Sequence, residues 1–360
     1  MSEVASIERR AHERLRDGGP LLVRFGELEP QAPQWLVRGL IERDAFALAF
    51  GDPGSGKSFL GIDVAASVAT GLDWHGHRAE KLPVVYIAGE GHSGLARRRR
   101  AWEIARGTSL ADEPLYVSTA PVPLGDPEHT SALLGAVDSV PVEPGLVVVD
   151  TLARNFGAGD ENSTADMSLF IAAVDQVRTR YGCTVLVVHH SGHGDKQRAR
   201  GAMALKGALD AEYRMEKGSD GLVRLEATKM KDAEPPPPMA FQLRTVELGF
   251  TDEDGDEVTS AVLHRTEWTP PPAQGKGTRA GRGRHQQTAL DVLQGLMDKH
   301  QGNRDALDGR PDCARVSLKD WRKAMQDAGI PRQRTYDIPK TLEDSGRVVI
   351  ENGFAWPADE

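Results

Sequence analysis

Residues 51–58 read Gly-Asp-Pro-Gly-Ser-Gly-Lys-Ser, and no other stretch constrains the fold as tightly. The run fits G-x-x-x-x-G-K-[ST], whose chemistry works only between a strand and a helix. Backbone N–H groups and a helix N-terminus must converge on anionic oxygens there. The flanks supply that context: an apolar run at 45–50 reads as the strand, and 59–68 reads as the helix. Gly51, Gly54 and Gly56 permit left-handed backbone and close approach of a ligand. Asp52, Pro53, Ser55 and the following Phe59 complete the expected nucleotide-binding segment. Lys57 offers a point charge to β- and γ-phosphates, and the Ser58 hydroxyl is a ligand for Mg²⁺.

The 360 residues carry a net charge of −9, so any contact with nucleic acid must come from local basic patches rather than a global field. Two cysteines, Cys183 and Cys313, lie far apart without C-x-x-C spacing, which predicts a reducing cytoplasm and no structural zinc. The first 17 residues are charged and helix-like, with no apolar core of a signal peptide, and no apolar run approaches a membrane span. The expectation is a soluble cytoplasmic protein without a membrane partner.

Along the chain, residues 1–34 read as an N-terminal helix and arm. From 35 to 268 apolar strands alternate with helical segments, the pattern of a mostly parallel α/β sheet. The parallel strands are expected at 45–50, 84–88, 146–149 and 184–188, near-continuous apolar runs suited to cover on both faces. After residue 210 the pattern turns antiparallel, with strands at 213–216 and 222–228 and two more at 240–246 and 261–265. Residues 269–285 form a Gly/Pro-rich linker with Lys276, Arg279, Arg282 and Arg284 and no acidic residue. Residues 286–360 then read helix (286–299), helix (318–328), helix (333–345, kinked or shortened by Pro339) and β-hairpin across Glu351-Asn352-Gly353. That order is winged-helix-like.

Phosphoryl transfer needs a metal-holding carboxylate, a base for the attacking water and a charge near the γ-phosphoryl. Asp150 ends the apolar strand 146–149, in position to hold Mg²⁺ through water. Glu90 ends another strand, in Ala88-Gly89-Glu90-Gly91, where a carboxylate points into the crevice at the strand ends. It is the expected general base. His189 and His190 end a third strand, beside a glycine-rich basic loop, 191–202, that carries Lys196, Arg198 and Arg200. A basic loop next to a phosphate sensor offers a route from nucleotide state to a bound polymer.

Taken in order, these elements resemble the RecA/DnaB superfamily of hexameric motor ATPases, and within it the RepA-type replicative helicases of plasmids and similar AAA-family ATPases of phages. The carriers are the 51–58 run, Val85-Tyr86-Ile87-Ala88-Gly89-Glu90-Gly91, Leu146-Val147-Val148-Val149-Asp150-Thr151-Leu152, Val187-Val188-His189-His190-Ser191-Gly192 and Arg200-Gly201-Ala202. The resemblance implies a RecA-like core spanning about 35–246, with ATP and Mg²⁺ at Lys57, Ser58 and Asp150, Glu90 as base and His190 as sensor. It also implies sites shared between subunits of a hexameric ring. Lys229 and Lys231, just after the strand 222–228, match the basic pair a neighbour supplies, with one of Arg97–Arg100 as the alternative. Lysine lacks the planar fork of the arginine that DnaB-type relatives carry there. Single-stranded DNA is the implied polymer, held by the 191–202 loop and a second loop at about 154–167, with a replication-initiation partner possible. The implied activity is a DNA helicase or translocase. A recombination or loading ATPase without unwinding, and a nucleotide-switched DNA-binding regulator, use the same parts.

Overall fold

The computed structural model describes residues 24–27, 30, 32–89, 91–192, 199–268, 284–304 and 315–358. The expected N-terminal helix and nearly all of the basic linker lie outside them. The chain divides into two compact units, Met1–Thr269 and Pro270–Glu360. Among the described residues no helix is long and apolar enough to cross a membrane.

In the first unit, β1 (Trp35–Val37) and β2 (Ile41–Glu42) form a small ribbon ahead of β3 (Phe46–Gly51) and α1 (Lys57–Thr70). Next come β4 (Val84–Ala88), α2 (His92–Arg106), β5 (Leu115–Val117), α3 (Pro127–Asp138) and β6 (Leu146–Asp150). Then follow α4 (Leu152–Asn155), α5 (Thr164–Tyr181), β7 (Thr184–His190) and α6 (Met203–Ala208). Four strands close the unit: β8 (Ala211–Lys217), β9 (Val223–Met230), β10 (Met239–Thr251) and β11 (Glu257–Thr266). Nine strands make one sheet in the order β11-β10-β9-β8-β3-β7-β6-β4-β5. It is parallel from β8 to β5 and antiparallel from β8 to β11. This is the α/β core with antiparallel extension read from the sequence.

The parallel strands are apolar because helices cover both faces. One core, with Leu60, Val64 and Val68 of α1, takes Ala47, Tyr86, Val148 and Leu186 from alternate strand positions. The opposite core takes Phe46, Val85, Val147, Val149 and Val187 against Leu152 and the α5 side chains Phe170 and Val174. Helix α1 is buried on nearly every side, so it is apolar all round rather than striped.

Several strand boundaries differ from the sequence reading, most of them in the antiparallel part, where β11 begins at Glu257 rather than 261. Strand β10 continues past 246 to Thr251: Val246, Leu248 and Phe250 keep the strand alternation, and pairing with β11 resumes at Thr251 after a bulge. Strand β9 continues to Met230, so Lys229 lies inside it, opposite Glu212, and not beyond it.

The second unit comprises α7 (Arg284–Arg304), β12 (Val316–Ser317), α8 (Leu318–Asp327), α9 (Arg334–Asp344), β13 (Val348–Glu351) and β14 (Phe354–Pro357). Its sheet order is β12-β14-β13, over a core of Leu293, Trp321, Met325, Ile338 and Leu342. The Trp321 indole donates to the Ala289 carbonyl at 2.8 Å, so the largest core side chain leaves no buried donor unmet. Helix α9 runs through Pro339, which is buried, rather than stopping at it. Asn352 and Gly353 both adopt positive φ (52° and 82°), the type I′ geometry that joins β13 to β14.

Candidate functional site

Strand β3 delivers the chain at Gly51 against the backbone of β8. A Cβ at Gly51 would stand 2.1 Å from the Met215 carbonyl oxygen, so only glycine lets the loop leave the sheet there. Gly54 and Gly56 hold φ of 77° and 90°, and Gly56 opens α1. The first helical residue, Lys57, is buried, and its Nζ donates to the Asp52 carbonyl at 2.8 Å. The ammonium thus caps its own loop, a contact that a phosphate oxygen can replace. Beside this loop, Gly51–Ser55 and Arg214–Lys217 line a cavity of about 400 Å³, within the size range of ligand pockets.

Ser58 donates to Asp150 Oδ1 at 3.2 Å, and Tyr86 donates to Asp150 Oδ2 at 2.6 Å. Strand register explains both. Ala88 of β4 stands opposite Asp150 of β6, and Tyr86 and Asp150 occupy positions of the α1 face. A hydroxyl and a carboxylate converging one residue from Lys57 are the hard oxygen donors that suit Mg²⁺. The glycine cradle leaves backbone room for a phosphate chain. The residues fit both groups.

Tyr86 was not singled out in the sequence. Its signal was there: a lone hydroxyl on the buried apolar strand Val84–Ala88 must find a partner.

Glu90 lies outside the described residues. Its neighbour Gly89 donates to the Asp150 carbonyl at 2.6 Å, and a Cβ there would collide with Arg154 Cβ at 2.3 Å. The chain entering position 90 is therefore pinned at the end of β6.

The two histidines of β7 face opposite ways, as strand alternation requires. Leu186 packs in the α1 core and Val187 in the opposite one, which puts His190 on the α1 face and His189 on the other. His189 is fully buried, with Nε2 3.0 Å from the Arg200 carbonyl. Burial pushes its imidazole down to about 3, so it is neutral and Nε2–H donates. Next to it, Ser191 N–H donates to the Gly51 carbonyl at 3.1 Å and the Ser191 hydroxyl donates to the Asp52 carboxylate. The root of the basic loop is thus fastened to the phosphate loop.

Of the expected DNA contacts, Lys196 and Arg198 lie outside the described residues. Arg200 N–H donates to the His190 carbonyl at 3.0 Å, and its Nε stands 3.2 Å from Glu161 Oε2 as an ion pair. The Ala202 N–H donates to the Glu161 carbonyl at 3.0 Å. Burial raises the Glu161 carboxyl, with Arg200 opposing the shift. The loop read at 154–167 is shorter than expected, because α4 covers 152–155 and α5 begins at Thr164 with Met167 buried in it.

Lys229 and Lys231 stand away from the phosphate loop of their own chain. Lys229 Nζ donates to the Lys206 carbonyl at 2.8 Å, and Lys231 Nζ is 3.4 Å from Asp210 Oδ1. Met230 pairs with Ala211 at one end of β8, whereas Gly51 pairs with Met215 near the other, about 13 Å along the strand. Among Arg97–Arg100, Arg98 stacks 5.0 Å over the Phe59 ring, directly after Ser58, and Arg99 and Arg100 pair with Glu103.

Two comparisons with known proteins give matches. The crystal structure of the RadB recombinase is similar over 56% of this chain and 88% of that chain, at 16% identity and a TM-score of 0.40. The family described as an AAA domain (AAA_25) matches residues 9–196, just over half of the chain, which take in the phosphate loop, Tyr86, Asp150 and both histidines. A family of P-loop ATPases implies nucleotide binding, typically with Mg²⁺, and by this match the chain belongs to the AAA-domain family.

Proposed function

We propose that the chain is an ATP-dependent DNA translocase of the helicase type, akin to the RepA-type replicative helicases. In this reading it hydrolyses ATP between subunits of a hexameric ring and moves on single-stranded DNA during plasmid or phage replication. Residues 35–268 form the motor, and the linker 269–285 joins it to the winged-helix-like unit 286–360. The observation that carries the reading is the Ser191 bridge. This residue binds the Gly51 carbonyl and the Asp52 carboxylate at the spot where the basic loop leaves β7. A phosphate that draws Lys57 off the Asp52 carbonyl therefore acts on the segment that carries Lys196, Arg198 and Arg200.

Each residue then has a task. Lys57 and the loop amides hold the β- and γ-phosphates. Ser58 and Asp150 hold Mg²⁺, which when bound neutralises charge on the phosphate oxygens, and Tyr86 fixes the Asp150 carboxylate. Glu90 takes the proton of the attacking water. His190, on the α1 face, reads the γ-phosphate. Lys229 and Lys231, remote from their own chain's loop, serve the neighbour's site.

Strand displacement from a forked duplex with ATP and Mg²⁺ tests the reading, with Glu90→Gln as the inactive control. Displacement by the wild type alone supports it. Single-strand-stimulated hydrolysis with no displacement in either protein assigns the chain instead to the RecA- or RadA-like recombination or loading ATPases. Hydrolysis indifferent to DNA favours the nucleotide-switched regulator.

A further inference from the structure

Five cations of the second unit stand without a carboxylate partner among the described residues, while several of the first unit are paired. In the first unit Arg43, Lys81, Arg178, Arg180, Arg200 and Lys206 each face a carboxylate within ion-pair distance. In the second, Lys319, Arg322, Arg332, Arg334 and Lys340 have no carboxylate partner among the described residues. The Arg322 guanidinium instead lies 4.6 Å over the ring of Tyr336, which is 54% exposed, and its Nε is buried without a hydrogen-bond partner.

These side chains form one continuous surface. Lys319 and Arg322 share a side of α8, three residues apart. Arg322 crosses to Tyr336 on α9, and Lys340 lies one turn beyond Tyr336. Arg332 and Arg334 stand at the N-terminus of α9, where the helix dipole adds positive potential. The carboxylates Glu343 and Asp344 are confined to its last turn, and Asp337 is the one carboxylate amid the basic half.

We propose that this face binds duplex DNA, with α9 entering the major groove N-terminus first and Lys319 and Arg322 on the flanking phosphates. A helix fits that groove, and a helix-turn-helix presents the start of its second helix to the base edges. The turn between α8 and α9 contains Gly329 at φ 84°, and the Asn352-Gly353 tip is polar and exposed. A single strand is a poorer match, because sequence-tolerant strand binding uses several stacking aromatics and this face offers Tyr336 alone. The duplex site lies on the second unit alone and does not rest on the motor reading.

The test is fluorescence anisotropy of full-length protein with a short labelled duplex, without ATP, across a salt series. Lys57→Ala is expected to keep wild-type duplex affinity, which separates this site from the nucleotide site. Lys319→Ala is expected to lower the salt slope by about one, and reversing both charges in Arg334→Glu/Lys340→Glu to weaken duplex binding about tenfold or more. A loss under about fivefold overturns the proposal. Asp337→Asn removes a negative charge rather than a contact, so misfolding does not mimic its effect. It is expected to tighten binding about two- to fivefold, and equal or weaker binding overturns the proposal. A single strand of the same length that loses as much affinity on charge reversal also overturns it, since the face would then follow backbone charge alone.

Discussion

Replacing Tyr86 by phenylalanine isolates the contact that the fold adds to the predicted metal-binding pair. The hydroxyl donates to Asp150 Oδ2 at 2.6 Å with both residues almost wholly buried. A buried hydrogen bond to a charged group contributes about 1.5–3 kcal/mol, and its loss leaves that carboxylate oxygen short of a donor. For a unit of this size about 1 kcal/mol moves the melting temperature by roughly 2–4 °C, so the variant should melt about 3–12 °C lower. Packing should change little, because phenylalanine keeps the ring and Gly61 of α1, whose added Cβ would lie 3.2 Å from the hydroxyl, leaves that space open. The functional effect should fall on Mg²⁺, since partners that orient metal-holding groups alter affinity about 10–100-fold when removed. Thermal unfolding and a Mg²⁺ titration of ATP turnover read the two effects separately. A Tyr86→Phe protein that melts within about 1 °C of wild type and keeps its Mg²⁺ half-saturation refutes the argument.

Lys57→Ala should abolish ATP binding, read by a fluorescent analogue, and the loss of its contact to the Asp52 carbonyl should cost the melting temperature without nucleotide only a few degrees. Lys231→Ala should retain ATP binding but lose turnover. Mixed with wild type, it should depress activity beyond its share of the subunits, and strict proportionality would remove it from the neighbour's site. His189 carries a sign-definite pH effect: the fold holds it neutral with its value lowered to about 3. Its stabilisation is complete above the ordinary histidine range and is lost as pH falls from about 6.5 toward 3, by up to about 1.4 kcal/mol per pH unit. His189→Asn should flatten that part of the stability curve, measured by denaturant unfolding at each pH. Glu161 has its value raised, so the fold favours its neutral form at low pH and loses that contribution as pH rises above the ordinary glutamate range. Glu161→Gln should therefore melt higher than wild type near neutral pH, and a lower melt would refute the reasoning.

The parts of the site contiguous in sequence were legible there. The phosphate loop carries its own glycines, lysine and serine in one run, and Asp150 stands at the end of an apolar strand whose length marks it as buried. What the sequence hid depends on which strands pair and in what register. Ser191 meets Asp52 because Gly51 aligns with His190 across β3 and β7, and no local pattern encodes that alignment. Tyr86 reaches Asp150 for the same reason across β4 and β6. Arg200 reads as a free basic side chain in the 191–202 run, yet Glu161, nearly forty residues earlier, folds back to pair with it. The antiparallel extension was seen in outline only. The second half of β10 alternates Val246, Leu248 and Phe250 with Glu247, Gly249 and Thr251, the period of a half-buried strand, so its length is legible in the sequence, whereas its pairing with β11 is not.

The central claim is that nucleotide turnover at the phosphate loop is linked to single-stranded DNA through the segment that Ser191 fastens. The most direct measurement is the rate of ATP hydrolysis with and without a saturating single strand, in wild type and in Ser191→Ala. Wild-type turnover should rise several-fold with DNA, and Ser191→Ala should keep its rate without DNA while losing most of that rise. An equal rise in both proteins, or wild-type turnover indifferent to DNA, contradicts the account.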